Sequence, residues 1–167
     1  MKNDLICFSH LRWHFVYQRP QHLMSRAARS GRVFYFEEPV FTAFPDKLRI
    51  QSDPLNGVMV VTPELDNSEA SDQTPEMNFT NRLKMLVNEL IRRYDIKDYV
   101  AWYYAPMALS FSEQLEPSAI VYDCMDELSA FKFASFTSAL SILFLHESKI
   151  DTKIKVHAIK DLRDFIL

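Results

Sequence analysis

Short apolar runs alternate with amphipathic stretches along most of the chain. A continuous apolar run is typical of a strand buried on both faces of a parallel sheet, and such runs predict strands at residues 5–8, 33–36, 57–62, 99–104 and 119–122. Apolar residues spaced three and four apart, or helix-terminal Pro and Gly, predict helices from Pro20 to about Gly31, across 79–91, and from Pro106 to about Gln114. This alternation predicts an α/β fold: a Rossmann-like parallel sheet with helices on both faces.

The stretches between these elements are less regular. Residues 41–51 show no clear period and are expected to be irregular, and residues 63–76 are rich in Asn, Ser, Asp and Pro, which predicts an exposed loop. The character of the chain changes after Phe133, where residues 135–145 are apolar and a helix is one interpretation of them. We therefore expect a Rossmann-like domain at 1–133 and an atypical tail at 134–167.

Composition argues against several functional classes. The 167 residues fit one domain, and a net charge of −3 argues against a nucleic-acid partner, for which a basic stripe is expected. Two isolated glycines, Gly31 and Gly57, cannot form a glycine-rich phosphate loop. Cys7 and Cys124 lie in apolar runs without a CxxC pair, which predicts buried, reduced thiols and no zinc site of the usual spacing. No apolar run is long enough for a signal peptide or a membrane span, so a cytoplasmic location is expected.

Polar and aromatic residues follow several of the predicted strands. Ligands of open parallel sheets bind at the carboxyl ends of the strands, so these segments should share one rim. The chemically useful side chains there are His10, Arg12, Trp13, His14, Arg19, His22, Asp123, Asp126 and Glu127. Together they suit a polar, hydroxyl-rich ligand, because carboxylates bind hydroxyls and an aromatic face packs on the apolar side of a sugar.

The carboxylates of this rim also have structural interpretations. Asp123 suits the end of a strand or the cap of the next turn. Asp126 and Glu127 suit the first turn of a helix, where acids complement the helix dipole.

Among the other rim residues, some also have a structural interpretation and one favours a binding role. Arg19 suits an ion pair with Glu37 or Glu38 across neighbouring strand ends, and His22 suits packing within its helix. Trp13 is the residue that favours a binding surface, because an aromatic side chain in a rim loop often marks one.

Four segments, in this order, resemble a group of bacterial GT-B glycosyltransferases similar to families 1 and 4, including the teichuronic-acid biosynthesis type. They are FVYQRPQHL at 15–23, FEEP at 36–39, WYYAPMAL at 102–109 and VYDCMDELSAF at 121–131. The resemblance covers residues 4 to 133 and concerns the N-terminal domain of such enzymes.

The resemblance implies an architecture of two Rossmann-like domains that face each other across a cleft. The N-terminal domain of such enzymes mostly binds the acceptor, the C-terminal domain holds most of the nucleotide-sugar contacts, and the reaction usually needs no metal, so no cofactor is expected. Asp123 and Asp126 are then the candidates for the base that activates the acceptor hydroxyl. The candidates for binding the acceptor are His10, Trp13, Arg19, Gln21, His22 and Tyr104.

The tail from about Ala134 does not resemble the family's continuation. The leading hypothesis is therefore a truncated relative: an acceptor-binding domain, inactive alone, from an enzyme that transfers a sugar to a glycan or lipid-linked acceptor. It would be cytoplasmic, with peripheral association at the inner membrane face as an alternative, and a nucleotide sugar would bind only with a second domain or chain. A second hypothesis is a non-catalytic binding module that either keeps the acceptor rim or uses its tail to pair with a partner chain, for which a homo-oligomer is one option. A third is a metal-dependent hydrolase that uses Asp123, Asp126 and a histidine.

Overall fold

The computed structural model describes residues 4–67, 75–123 and 156–158. In chain order, the strands are β1 (Asp4–Phe8), β2 (Val33–Phe36), β3 (Val40–Thr42), β4 (Lys47–Ser52), β5 (Met59–Asp66), β6 (Tyr99–Tyr103), β7 (Ala119–Tyr122) and β8 (Val156–Ala158). The helices are α1 (Arg19–Ala27), α2 (Pro75–Arg93) and α3 (Leu109–Ser112), and a single 3-10 turn at Pro106–Ala108 precedes α3.

The strands form one eight-stranded sheet in the order β3-β5-β2-β1-β6-β7-β8, with β4 paired to β5 outside this path. The strand pairs along this path are parallel, and the additional β4–β5 pair is antiparallel. The chain adds strands on one side of β1 and then crosses to add β6 on the other side. This reversal makes the β1–β6 junction the switch point at which open α/β sheets bind ligands.

The two faces of the sheet carry separate apolar cores. Along β1, Ile6 and Phe8 point to the face covered by α2, whereas Cys7 points to the face covered by α1. Leu83, Leu86, Val87 and Leu90 of α2 recur at helical spacing and are buried against the first face. The predicted Rossmann-like sheet with helices on both faces is therefore confirmed.

The expectation of irregular chain at 41–51 was wrong, because this stretch contains most of β3 and nearly all of β4. Both strands lie at one side of the sheet. Most of their residues are exposed or half-buried, and few are buried. Strands of this kind lack the continuous apolar run of a central strand.

The prediction of a loop at 63–76 was also wrong for its first residues, because β5 continues through Pro63 to Asp66. Residues 59–61 of β5 pair with β2, and residues 64–66 pair with β3. Pro63 falls between these two parallel ladders, so its missing N–H breaks neither of them.

Part of the segment predicted as a tail belongs to the sheet, because β8 pairs in parallel with β7. The predicted helix at 135–145, the domain boundary near Phe133 and Cys124 lie outside the described residues. Within residues 4–67, 75–123 and 156–158, no helix combines the length and hydropathy that a bilayer span requires.

An ion pair joins α2 to the connection between β3 and β4. The Arg82 guanidinium donates to the Asp46 carboxylate, with an Nε–Oδ2 distance of 2.7 Å, and to the Asp66 carbonyl. The Arg82 hydrogen bond is the main reason that the pKa of Asp46 lies below its ordinary value of 3.8, since it outweighs the opposing effect of burial. The charged carboxylate therefore stabilises the fold.

We expect Asp46→Asn to lower the free energy of unfolding by about 0.5–1.5 kcal/mol at neutral pH, because it weakens a charge-assisted hydrogen bond. A carboxyl with a lowered pKa in the folded state contributes stability above its ordinary pKa and loses it as the pH falls through the folded value. The difference from wild type should therefore disappear well below pH 3.8 in urea denaturation series.

Asp95→Asn is the matched control, because the Asp95–Lys97 pair is highly exposed. It should change the free energy of unfolding by less than about 0.5 kcal/mol. A deficit in Asp46→Asn that persists unchanged at acid pH would contradict the assigned role of the charge.

Candidate functional site

A cleft of about 180 Å³ opens at the carboxyl ends of β1, β2 and β6, on the face that α2 covers. It therefore lies at the switch point of the sheet, where the topology predicts a ligand. The cleft is lined by Phe8, Ser9, His10, Phe36, Glu37, Glu38, Pro39, Phe79, Leu83, Ala105, Met107, Ala108 and Phe111.

Aromatic rings form one wall of the cleft. The ring centroids of Phe8 and Phe36 lie 5.6 Å apart, and the Phe111 ring lies 6.0 Å from each of them. Phe8 and Phe36 are buried ends of neighbouring strands, and Phe111 comes from α3 on the same face. The apolar character of this wall differs from the hydroxyl-binding rim that the sequence predicted.

The two buried oxygen-bearing side chains that line the cleft, those of Ser9 and Glu37, are bonded within the protein. The exposed side chain of Glu38 lines the cleft as well. Ser9 Oγ accepts hydrogen bonds from the Tyr35 hydroxyl at 2.7 Å and from the Leu11 N–H at 3.0 Å. The Glu37 carboxylate accepts from the Trp13 N–H at 2.8 Å and from the Thr62 hydroxyl at 2.7 Å. Because of these contacts, the Ser9 hydroxyl and the Glu37 carboxylate have less hydrogen-bonding capacity left for a ligand.

His10 is the predicted site residue that lines the cleft. Its Nδ1 is buried and has no hydrogen-bond partner within the described residues. A buried polar atom of this kind is costly unless a partner satisfies it. The His10 imidazole therefore keeps hydrogen-bonding capacity that the described residues do not use.

Trp13 holds the loop between β1 and α1 in place. Its indole Nε1 donates to Asp53 at 2.6 Å, and its ring packs edge-on against Tyr35 at a centroid distance of 4.8 Å. The side chain is 4% exposed, so it lies in the interior and differs from the ligand-facing position that the sequence favoured. Burial raises the pKa of Asp53, but the indole and two backbone N–H groups outweigh it and hold this pKa below its ordinary value.

Gln21, predicted to bind an acceptor, also serves this loop in the structure. Its Oε1 accepts from the Gln18 N–H at 3.0 Å at the start of α1, and its Nε2 donates to the Trp13 carbonyl at 2.9 Å. Arg12 closes the other side of the loop by donating to the Pro39 carbonyl at 3.1 Å. The loop between β1 and α1 is thus fixed by side chains from α1 and by the segment after β2.

Arg19, Asp123 and Tyr104 form a second cluster, packed with the core on the α1 face. Arg19 Nη2 lies 2.9 Å from Asp123 Oδ1, and Arg19 Nε donates to Oδ2 at 3.1 Å. Arg19 therefore pairs with Asp123, and not with Glu37 or Glu38 as the sequence suggested. This pair ties the first turn of α1 to the end of β7.

The Asp123 carboxylate is fully buried, whereas the Arg19 side chain is 22% exposed. Burial raises the pKa of Asp123 above its ordinary value, more than the Arg19 charge and the neighbouring Tyr104 hydroxyl lower it. Burial also raises the pKa of Tyr104, which keeps its hydroxyl protonated and able to donate to the carboxylate. As it stands, the Asp123 carboxylate is enclosed by its own chain.

The other candidates are distributed as follows. His22 is exposed on α1 and packs edge-on against Tyr17, with ring centroids 4.5 Å apart. Asp126 lies outside the described residues, so its role as a base stays a prediction. Cys7 is buried and free, and burial raises the pKa of its thiol well above the ordinary value, so it is a poor nucleophile.

The sequence reasoning did not select Glu37, Asp53 or Met107. Glu37 directly follows β2, so the same rule that selected Asp123 could have found it. Asp53 contacts Trp13 across forty residues, and no local pattern announces that contact.

A metal site is not formed by the part of the chain that the structure describes. In these stretches no three side chains of His, Cys, Asp or Glu converge closely enough to hold an ion. The hydrolase hypothesis, which needs Asp126, thus has no support from the described residues.

The fold is that of a Rossmann-like α/β domain, and it is similar to part of one GT-B glycosyltransferase structure. The chain is similar to the Escherichia coli trehalose-6-phosphate synthase structure bound with UDP-2-fluoro glucose, with a TM-score of 0.51 and 11% identity over 86% of this chain. It spans 38% of the length of that protein. At this identity the likeness shows the fold alone.

A second solved structure, α,α-trehalose 6-phosphate synthase from Burkholderia multivorans, is 14% identical over 74% of this chain and 33% of its own. Its TM-score of 0.46 is too low to bear on the fold. No protein-family model matches the sequence, and no curated protein matches it significantly.

The Arg19–Asp123 pair should respond unequally to removal of its two members. Arg19→Met leaves a fully buried carboxylate without its counter-ion and should lower the free energy of unfolding by about 3–5 kcal/mol at neutral pH. Asp123→Asn leaves a guanidinium with solvent access and should cost less. Urea denaturation of both variants measures the difference.

The deficit of Arg19→Met should shrink as the pH falls toward 3.8, the ordinary pKa of an aspartate. A carboxyl whose folded pKa is raised destabilises the protein as the pH rises above its unfolded value, and protonation relieves this cost. An Asp123→Asn variant that is less stable than Arg19→Met at neutral pH would contradict the assigned burial.

Proposed function

We propose that this chain forms the acceptor-binding domain of a glycosyltransferase that uses a nucleotide-sugar donor. Three observations support the proposal: the likeness in fold to a GT-B glycosyltransferase, the cleft at the switch point, and the family resemblance of four segments of the sequence. The acceptor is a glycan or lipid-linked sugar. In the finer form of the proposal, the enzyme is of the teichuronic-acid type and acts on a cell-wall polysaccharide.

The observation that carries the proposal is the position of His10. His10 lines the cleft, at the edge of the sheet where ligands of such folds bind, and its Nδ1 has no hydrogen-bond partner within the described residues. An acceptor hydroxyl that enters the cleft meets the His10 imidazole, and a hydroxyl can both donate and accept a hydrogen bond.

The other acceptor-side residues act indirectly, through their contacts with other residues of the protein. Trp13 and Gln21 hold the loop that carries His10, while Arg19 and Tyr104 surround Asp123. With Asp123 buried in its ion pair, we assign it to positioning the segment that leads to Asp126, and we retain Asp126 as the proposed base.

Transfer needs a group that stabilises the leaving nucleotide diphosphate in the transition state. We assign that group to a donor-binding domain or to a second chain, and we propose that residues 1–167 alone transfer sugar poorly or not at all. A non-catalytic binding module is the second candidate, because the Asp123 carboxylate is enclosed and cannot reach an acceptor as it stands.

The proposal predicts that a glycoside binds in the cleft and that a nucleotide does not. In NMR titrations of the full chain with phenyl β-D-glucoside, shifts should be centred on His10, Ala105 and Met107, and UDP should not shift these residues. His10→Ala should weaken glycoside binding about tenfold through the loss of one buried hydrogen bond.

His14→Ala is the matched control, because His14 is an exposed histidine of the same loop that does not line the cleft. It should leave the affinity unchanged. Binding of UDP in the cleft, or equal affinities for His10→Ala and the wild type, would overturn the proposal.

A further inference from the structure

The lining of the cleft bears on which part of an acceptor enters it. Most of its lining side chains are apolar, and they include Phe8, Phe36, Ala105, Met107 and Ala108. The ends of the two strands are fully buried, and Ala105 and Ala108 are also buried, so the inner part of the cleft is apolar. An apolar surface of this shape gains most from burying an apolar group.

The two buried polar side chains that line the cleft, those of Ser9 and Glu37, are already hydrogen-bonded within the protein. Ser9 Oγ is bonded to Tyr35 and Leu11, and the Glu37 carboxylate is bonded to Trp13 and Thr62. Burying several sugar hydroxyls against the phenylalanines would leave them unsatisfied, at a cost of about 1–3 kcal/mol each. The His10 imidazole and the exposed Glu38 carboxylate, which also line the cleft, can meet a hydroxyl.

The size of the cleft limits the apolar group. Its volume of about 180 Å³ is slightly larger than an apolar protein cavity of about 150 Å³ that binds benzene. Met107, 59% exposed, lines the cleft with a flexible thioether that packs well against aromatic rings. One aromatic ring or a short alkyl segment fits this space.

We propose that the cleft binds the apolar part of an amphipathic acceptor, either an aromatic ring or the first carbons of an alkyl chain, with a hydroxyl of the acceptor at His10. That the ligand is an acceptor rests on the proposed function. The preference of the cleft for an apolar group rests on its lining alone, and the two can be tested separately.

The test is a methyl NMR titration of the full chain, with the methyl groups of alanine and methionine labelled. Phenol and 1-hexanol probe the apolar cleft without a sugar, and they distinguish a ring from an alkyl chain. Phenyl β-D-glucoside, hexyl β-D-glucoside and methyl β-D-glucoside probe the same group on an acceptor. We expect shifts at Ala105, Met107 and Ala108, and affinity at least about tenfold higher for the phenyl or hexyl glucoside than for the methyl glucoside.

Met107→Glu should weaken the binding of phenol or 1-hexanol several-fold by placing a charge at the cleft. Met85→Glu is the matched control, because Met85 is a 71% exposed methionine that does not line the cleft, and it should have no effect. Both positions are exposed, so both variants should fold.

The outcomes separate the two proposals. Binding of phenol or 1-hexanol at Ala105 and Ala108 supports the apolar cleft even if UDP also binds there, a result that would sink only the acceptor role. Equal affinity for methyl, phenyl and hexyl glucosides overturns the further inference while leaving an acceptor role in place. Failure of phenol and 1-hexanol to shift the cleft methyl groups overturns it as well.

Discussion

The arrangement of the loop at the carboxyl ends of the strands depends on the buried carboxylate of Glu37. It receives the Trp13 N–H and the Thr62 hydroxyl, and the Arg12 guanidinium lies 3.6 Å away. The segment between β1 and α1 contains no glycine and runs over a sheet edge, where backbone groups need partners. Glu37 supplies one of those partners from the neighbouring strand end and so fixes where Trp13 enters the core.

The two sides of the switch point then take different roles. On the α1 side, Arg19 and Asp123 close a buried ion pair that joins α1 to the end of β7. On the α2 side, the strand ends carry Phe8 and Phe36 into an open cleft beside His10. Charge is thus enclosed on one face and apolar surface is offered on the other, and for this reason we assign recognition to the cleft.

The central strands could be predicted from sequence because each is buried on both faces and appears as an unbroken apolar run. β2 and β7 have the predicted bounds, and β1 and β6 differ by one residue. β3 and β4 could not be predicted in this way, since they lie at one side of the sheet and carry charged and exposed residues. Pro63 suggested an end to β5, but the strand continues because β4 pairs with it on both sides of the proline, from Met59 to Glu64.

The site was less predictable than the fold. The rule that ligands bind at the carboxyl ends of strands predicted a rim that includes His10, and His10 lines the cleft. The rule could not show which of the rim side chains instead hold a loop in place. That distinction depends on contacts between distant residues: Trp13 with Asp53, and Arg19 with Asp123, which are 104 positions apart. Contacts between residues this far apart in the chain produce no recognisable pattern in the local sequence.

Amide hydrogen exchange of the wild-type chain tests most directly whether internal contacts fix the loop that carries His10. The N–H groups of Leu11 and Trp13 donate to Ser9 and Glu37, and they should be protected nearly as well as those of β1. The amide of the exposed His14 should exchange much faster. Exchange of Leu11 and Trp13 as fast as that of His14 would show that the loop is not held in place, and would contradict the account.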